Sequence, residues 1–182
     1  MDFTQLRQAD PSSLDGVIAY WRREATRLAE IEAQATAIAQ EMSSGGWHGD
    51  AHEAAMSKMD TRRAELATCR AEAAAIAEIT AEAQRRIRTA QEALENILSD
   101  IDEREGFTVD GSGVVSPTGI DELAALLPVT EFTLWRDAAQ VTAAKLTERI
   151  ADAVDRARIA DEAAATAIRR AIAPGPEDPD GP

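Results

Sequence analysis

A long apolar heptad repeat in the middle of the chain constrains the fold more than any other sequence feature. Apolar or small residues recur every seven positions from residue 59 to residue 101, and a companion series follows three positions later. The first series is Met59, Leu66, Ala73, Thr80, Ile87, Leu94 and Ile101. The second is Cys69, Ile76, Ala83, Ala90 and Ile97. A repeat this long is typical of coiled-coil-like packing, so we predict one helix from Ala51 to about Arg104.

A first helix is predicted upstream, from Ser12 to about Met42. Ser12 and Asp15 have the spacing of a capping box, with Pro11 just outside it. Its two apolar series are Leu14, Trp21, Leu28, Ala35 and Met42, and Val17, Ile31 and Ile38. Glu24 interrupts the second series, where Ala25 can take its place. We expect these stripes to pair the first helix with the second.

The sequence between the two helices predicts a turn. Ser43-Ser44-Gly45-Gly46 ends the first helix, because Gly45 or Gly46 can adopt the left-handed conformation. Asp50 and Glu53 then form an acidic capping pair for the second helix. At 1.5 Å per residue the helices span roughly 47 Å and 80 Å, so the first covers only part of the second. The uncovered seam needs another partner.

Further elements are predicted downstream. The segment from Phe107 to Val115 predicts a small β-hairpin, because Asp110-Gly111 favours a tight turn. Thr118 is placed to cap a short helix that continues through Leu127, and Thr130 to cap a last long helix from Glu131 to about Ile172. We expect that helix to run back along the second one. Its apolar positions are Phe132, Trp135, Ala139, Thr142, Leu146, Ala153, Ala157, Ala164 and Ile168.

The predicted fold is therefore all-α, an elongated antiparallel helical bundle with a small β-hairpin at one end. The predicted segments are an N-terminal arm (1–11), a helical hairpin (12–104), a β-hairpin with a short helix (105–130), a long C-terminal helix (131–173) and a disordered acidic tail (174–182).

Composition narrows the class of function. The net charge of −14 disfavours binding to nucleic acid or to anionic membrane surfaces, since both need a basic surface. No run of about 18 apolar residues predicts a membrane span, and the N-terminus lacks the pattern of a cleavable signal peptide. A single cysteine, Cys69, excludes an intramolecular disulfide.

Few residues suggest chemistry. His48 and His52 have a spacing that can place two imidazoles on one helix face for zinc, yet exposed turn histidines are the default interpretation. Cys69 lies on the second helix's apolar seam, which favours a small buried hydrophobe over a nucleophile. No arrangement of residues predicts a catalytic triad, a nucleotide loop or a cofactor site. We expect no catalytic activity, no metal and no cofactor.

The tripeptide Trp47-His48-Gly49 lies at the break between two Ala-rich amphipathic helices. There an indole can close the end of a helical hairpin and a glycine permits the tight exit, although any helical hairpin can use Trp this way. With these features the chain resembles the WXG family of small helical-hairpin proteins exported by bacterial type VII (ESX) secretion, including its longer PPE and Esp relatives. The resemblance covers residues 12–104 directly and the later segments more loosely.

This resemblance implies a protein exported without a cleavable signal peptide, to the medium or the cell surface, paired with a helical partner as a hetero- or homodimer and handled by secretion machinery or a chaperone. It also implies that Trp47 and Gly49 shape the turn, while Leu14, Trp21, Leu28, Met59 and Leu66 align the seam.

The family's Tyr-x-x-x-Asp/Glu export signal follows the second helix, and here the sequence departs from the pattern. The match in this chain, Tyr20 to Glu24, lies on the first helix, where ordinary surface packing explains it equally well. We therefore expect a partner to supply the export signal in trans. Two other hypotheses stay open: an intracellular coiled-coil scaffold or adaptor in the cytoplasm, and the N-terminal delivery module of a larger toxin.

Overall fold

The computed structural model describes residues 1–173 and confirms an all-α fold with a small β-hairpin. Within these residues there are five α-helices and one antiparallel pair of strands. The helices are α1 (Phe3–Gln8), α2 (Asp15–Ser44), α3 (Asp50–Asp102), α4 (Ile120–Leu126) and α5 (Val129–Ala171), and the strands are β1 (Phe107–Val109) and β2 (Val115–Pro117). The predicted tail at 174–182 lies outside the described residues. Among the described helices, none is both long and apolar enough to span a bilayer.

The predicted N-terminal arm is in part a helix, which the sequence reasoning missed. The Asp2 carboxylate accepts a hydrogen bond from the Gln5 backbone N–H at 2.8 Å, and the Gln5 side-chain oxygen accepts one from the Asp2 N–H at 2.8 Å. These two bonds form a capping box that starts α1. Phe3 and Leu6 of this helix are buried.

The long helices begin at slightly different residues than predicted. A 3-10 turn at Pro11–Leu14 precedes α2, which starts at Asp15 rather than Ser12. Helix α5 starts at Val129, two residues before the predicted start, because the Pro128 carbonyl already accepts the N–H of Phe132 at 2.9 Å. Proline fits just before a helix, since its missing N–H would have no intrahelical partner there.

The chain forms two compact units, of which unit 1 contains Met1–Pro11 and Ala83–Ala163. Its core joins α1, the second part of α3, strand β2 and α5. The core residues are Phe3, Leu6, Ile87, Ala90, Leu94, Ile97, Ile101, Val115, Ala143, Leu146, Ile150, Ala153, Ala157 and Ala160. The predicted packing of the last helix on the second is thus confirmed for this unit. Thr142, predicted to face the seam, is half-buried, and the next residue, Ala143, takes the core position.

Polar contacts hold the elements of unit 1 in register. The side-chain amide of Gln91 donates to the Ala9 carbonyl at 2.9 Å, which ties α3 to the end of α1. Arg149 of α5 pairs with Asp100 of α3 at 3.3 Å. The Val115 N–H donates to the Thr147 hydroxyl at 2.9 Å, so the β-hairpin is fixed on α5.

The β-hairpin turns tightly at Asp110–Gly113, where the Gly113 N–H donates to the Asp110 carbonyl at 3.1 Å, so the predicted turn at Asp110-Gly111 is confirmed. Val109 pairs with Val115, and the loop between them is organised by Asp110. Its carboxylate accepts hydrogen bonds from the Ser112 hydroxyl at 2.6 Å, the Ser112 N–H at 2.8 Å and the Val114 N–H at 3.0 Å. These bonds, with that from the Ser112 hydroxyl the largest cause, lower the pKa of Asp110 below its ordinary value.

Helix α4 is preceded by Gly119, in the left-handed conformation with φ +70°, and Thr118 is not its cap. The Thr118 N–H instead donates to the Gly106 carbonyl at 2.8 Å, which closes the base of the hairpin.

Unit 2 contains Ser12–Glu82 and, from the described C-terminal residues, 164–173. Contacts between α2 and the first part of α3 pair Arg22 with Glu78 at 3.2 Å and Glu32 with Arg70 at 3.4 Å. Because the partner's number falls as the α2 number rises, the two helices are antiparallel. They form the helical hairpin that the sequence predicted.

Candidate functional site

The hairpin turn depends on two glycines with positive φ angles, Gly46 and Gly49. The Gly45 N–H closes α2 by donating to the Glu41 carbonyl at 3.0 Å, and Gly46 follows with φ +73°. Gly49 has φ +106°, and its carbonyl accepts the N–H groups of His52 and Glu53 at 2.9 Å and 3.1 Å. Residues other than glycine rarely adopt such positive φ angles.

Asp50, predicted to cap α3, is instead the helix's first residue. Asp50 and Glu53 place negative charge in the first turn, where the helix dipole favours it.

Trp47 remains substantially exposed at the turn. Its side chain keeps 45% of its surface accessible, and its ring meets the His52 ring edge-on, with centroids 5.2 Å apart at 75°. Edge-to-face contact of this kind is a favourable geometry for two rings. The indole therefore braces the first turn of α3 while offering a large apolar surface to solvent.

The two histidines of the turn lie near each other, with ring centroids 6.4 Å apart. Residues 1–173 contain no group of three or more metal-binding side chains. The Nδ1 atom of His52 is buried without a hydrogen-bond partner.

The predicted seam residues lie at different levels of the hairpin, since Trp21 and Leu28 are level with the part of α3 between Arg70 and Glu78, whereas Met59 and Leu66 lie nearer the turn. None of them is fully buried. Leu14, in the 3-10 turn before α2, is half-buried, as are Trp21 and Leu28 of α2 and Met59 and Leu66 of α3. Within α3, every buried residue lies at Ala73 or later. Towards the turn, Met59 and Leu66 of α3 therefore remain only half-buried, although Ala39 of α2 is buried.

The second apolar series of α2 was predicted to face α3, but its residues Val17, Ile31 and Ile38 are exposed. Ile38 keeps 49% of its surface exposed, whereas the next residue, Ala39, keeps 4%. The same contrast separates exposed Val17 from buried Ile18. Each residue turns an α-helix by 100°, so two neighbouring series can both look seam-facing while only one of them is covered. The side towards α3 is the series of Ile18, Ala25, Glu32 and Ala39.

We call the exposed apolar residues of α2 the outer stripe, which comprises Val17, Tyr20, Ile31 and Ile38. Tyr20 and Glu24 of the candidate export motif also lie on α2, before the turn. The Tyr20 ring packs edge-on against Trp21, with centroids 5.3 Å apart, and Glu24 lies 3.7 Å from Arg27. Tyr20 is thus presented on the exposed face of α2, whereas the Glu24 side chain is half-buried.

Cys69 is a free, exposed thiol, so the prediction of a buried residue is wrong. The residue three positions before it, Leu66, is half-buried on the seam. A helix packed against one neighbour buries only a narrow stripe, and Cys69 falls outside it.

A groove near the turn was missed by the sequence analysis. It has a volume of about 450 Å³, and its lining includes Ala39, Gln40 and Ser43 of α2 with Met56 and Arg63 of α3. The Nε atom of Arg63 is buried there without a hydrogen-bond partner. The sequence offered one signal: Arg63 follows Met56 by seven residues and Met59 by four, which places it on the seam-facing side of α3.

Comparisons of the chain with protein-family models, with curated proteins and with solved structures found no match.

Proposed function

We propose that this chain is a non-catalytic docking protein, a type VII (ESX) secretion substrate or targeting module that pairs with a helical partner through its α2–α3 hairpin. The observation that carries the proposal is the partly open seam of unit 2. Trp21 and Leu28 of α2 and Met59 and Leu66 of α3 each remain only half-buried.

The open seam has an energetic consequence. Complete burial of a large apolar side chain is worth about 1.5–3 kcal/mol, in proportion to the area removed from water. Half-buried residues contribute only part of this free energy, and the exposed residues of the outer stripe contribute less. A helical partner laid along the hairpin would bury the remainder, which favours a hetero- or homodimer over an isolated chain.

The chemistry of the described residues also favours docking. The imidazoles of His48 and His52 lie beside the turn without a third ligand in residues 1–173. Many acidic groups are engaged in ion pairs on helix surfaces, as Glu65 is with Arg62 at 2.7 Å. Catalytic carboxylates need to converge in a pocket, and these diverge along helices.

In this proposal the turn is the recognition element. Gly49 sets the backbone path, and half-exposed Trp47 offers an indole to the secretion machinery or to a chaperone. Tyr20 and Glu24 precede the turn, so the partner provides the family's export signal in trans. The destination is the medium or the cell surface.

An export assay tests the proposal. The tagged chain, co-expressed with a candidate small helical partner in a type VII-competent host, should appear in the medium, and Trp47→Ala should abolish its export without lowering its cellular level. Trp135→Ala, which changes a half-buried tryptophan of α5 instead, is the matched control and should be exported normally. Retention of the unaltered chain in a host that exports other substrates would refute the proposal.

The pairing is tested separately by size exclusion. Leu66→Glu places a charge on the open seam and should remove co-elution with the partner, whereas Cys69→Ser on the exposed face should leave it intact. If both variants co-elute, the seam is not the docking surface.

An intracellular coiled-coil scaffold is the second candidate function. It is favoured by the position of Tyr20 and Glu24, since neither helix end after the turn carries a tyrosine export signal in residues 47–173. A scaffold would still pair through the seam, yet it would stay in the cytoplasm whichever residue occupied position 47. The two assays together therefore distinguish the candidates.

A further inference from the structure

The outer stripe of α2 has the spacing of a coiled-coil face. Its four apolar members alternate with polar residues at intervals of three and four positions, and we call the whole set the α2 face. In order, the α2 face is Val17, Tyr20, Glu24, Arg27, Ile31, Gln34 and Ile38. This spacing keeps all seven on one side of a helix, as in helices that pair along their length. The apolar members keep between 37% and 49% of their surface accessible, so the face has no neighbour within the described residues.

Two opposite charges lie near the centre of the α2 face. Glu24 and Arg27 are 3.7 Å apart, a distance too long for a good hydrogen bond, and their side chains remain 30% and 70% accessible. Both groups can therefore contact further charges. The face carries one negative and one positive charge, whereas the whole chain has a net charge of −14. Because proteins of like net charge repel one another, a locally neutral face is where two copies of this chain can approach.

The order of residues along the α2 face selects one arrangement of two copies. In one antiparallel register Glu24 faces Arg27 of the second copy, and by symmetry Arg27 faces Glu24 of the second copy. The same register sets Tyr20 against Ile31 of the second copy, so apolar residues meet on both sides of the charges. A parallel pair would set each charge against its own kind, which is unfavourable. A shift of the antiparallel pair by one heptad would set Arg27 against an apolar residue, which leaves its charge unpaired.

We propose that the α2 face binds the α2 face of a second copy of this chain in antiparallel orientation, with Glu24 of each copy opposite Arg27 of the other. Such a contact is isologous, since both copies use the same patch. The apolar residues provide the affinity, and the charges fix direction and register. The pairing goes beyond the proposed role in export and does not depend on it. Its consequence is that Tyr20 is covered, so any protein that recognises Tyr20 competes with the second copy.

Sedimentation velocity of the purified chain by itself tests the pairing. The unaltered chain should form dimers as its concentration rises to several hundred micromolar. Glu24→Arg and Arg27→Glu should each weaken dimerisation by at least about tenfold, because like charges then face each other at both contacts. An equimolar mixture of the two variants should dimerise again, and this rescue excludes misfolding as the cause. Glu30→Arg makes the same change of charge at an exposed position outside the face, and should leave the dimer intact.

Disulfide cross-linking tests the direction, since Val17 faces Gln34 of the second copy in the proposed register. In a Cys69→Ser background, chains with Val17→Cys should cross-link to chains with Gln34→Cys and not to one another. Cross-links between two Val17→Cys chains would indicate a parallel pair and overturn the proposal. A chain that stays monomeric at every concentration would also overturn it, as would a dimer that survives Glu24→Arg or a mixture of variants that fails to dimerise. Neither measurement involves export, so its outcome is separate from that of the secretion assay.

Discussion

Gly113 in the hairpin loop lies directly against Ile150 of α5, where a Cβ atom built on the glycine would stand 2.9 Å from Cγ2 of Ile150. The same atom would come within 3.0 Å of the Phe3 ring, and Gly113 has φ +87°. The loop therefore packs into unit 1 through a position that accepts no side chain.

We accordingly expect Gly113→Ala to lower the free energy of unfolding by about 2–4 kcal/mol, through left-handed backbone strain together with overpacking. Urea denaturation measures the change. Gly111→Ala is the control, because no atom lies within 4 Å of its Cβ and its φ is not positive; it should stay within about 0.5 kcal/mol of the unaltered protein. Equal effects of the two variants would contradict the packing of the loop on Ile150.

Because the N-terminal helix α1 is buried, Leu6→Ala is predicted to lower the free energy of unfolding strongly. Leu6 has no exposed surface, so truncation leaves a cavity in the core of unit 1. The expected loss is about 2–5 kcal/mol by thermal or chemical unfolding. Leu126→Ala removes the same atoms from a side chain that is 77% exposed and should change stability little. A small effect at Leu6 would show that α1 does not belong to the core.

The two neighbouring residues Val17 and Ile18 test which side of α2 faces α3. Ile18→Ala should destabilise the protein by about 2–4 kcal/mol because a buried side chain is lost. Val17→Ala, one position earlier on the outer stripe, should cost no more than about 0.5 kcal/mol. The measurement is equilibrium unfolding at low protein concentration. The reverse order would mean that the outer stripe, and not the side of Ile18, contacts α3.

Substitution by alanine should change stability in opposite directions at two glycines of unit 2. Gly49→Ala forces a side chain onto φ +106° and should destabilise the protein by roughly 1–2 kcal/mol. Gly16 lies in the first turn of α2 with open space around its Cβ, so Gly16→Ala should stabilise by up to about 1 kcal/mol through helix propensity. Melting temperatures that shift in the same direction would argue against the turn geometry.

The hairpin loop predicts a pH dependence. Hydrogen bonds from Ser112 and Val114 lower the pKa of Asp110 from its ordinary value of 3.8 in the folded protein. The Asp110 carboxylate therefore contributes its full stabilisation above pH 3.8. This stabilisation is lost as the pH falls towards the lowered pKa that Asp110 has in the folded protein. Asp110→Asn should reduce the loss of stability at acidic pH, measured by following unfolding between neutral and low pH. Glu105→Gln, also exposed, controls for the change in net charge. An unchanged pH profile in Asp110→Asn would contradict these bonds.

The sequence predicted much of the secondary structure because its signals are local. The heptad from Met59 to Ile101 predicted α3 to within two residues at its end, and Gly46 and Gly49 marked the turn that their positive φ angles now explain. Trp21 and Leu66, predicted as seam residues, are half-buried. Errors at helix starts came from competing caps: Gly119 and Pro128 precede helices where Thr118 and Thr130 had been expected to cap them.

The groove could not be predicted from the sequence. The spacing of Arg63 from Met56 and Met59 puts it on the seam-facing side of α3, but only the packing of α2 beside it forms the groove and buries its Nε atom. The capping box of Asp2 and Gln5, by contrast, was visible in the sequence and could have identified α1, although its burial could not.

Local sequence signals are enough to locate the helices and the residues that share a helical face, since periodicity and chain breakers act over a few residues. Which face meets which neighbour depends on packing between segments that are distant in the chain. Val17 and Ile18 belong to adjacent series of comparable apolar character, and the choice between them is made by side chains of α3 more than fifty positions away. The same holds for Leu6, whose burial depends on Leu94 and Ile150, because a core forms from contacts that no local pattern encodes.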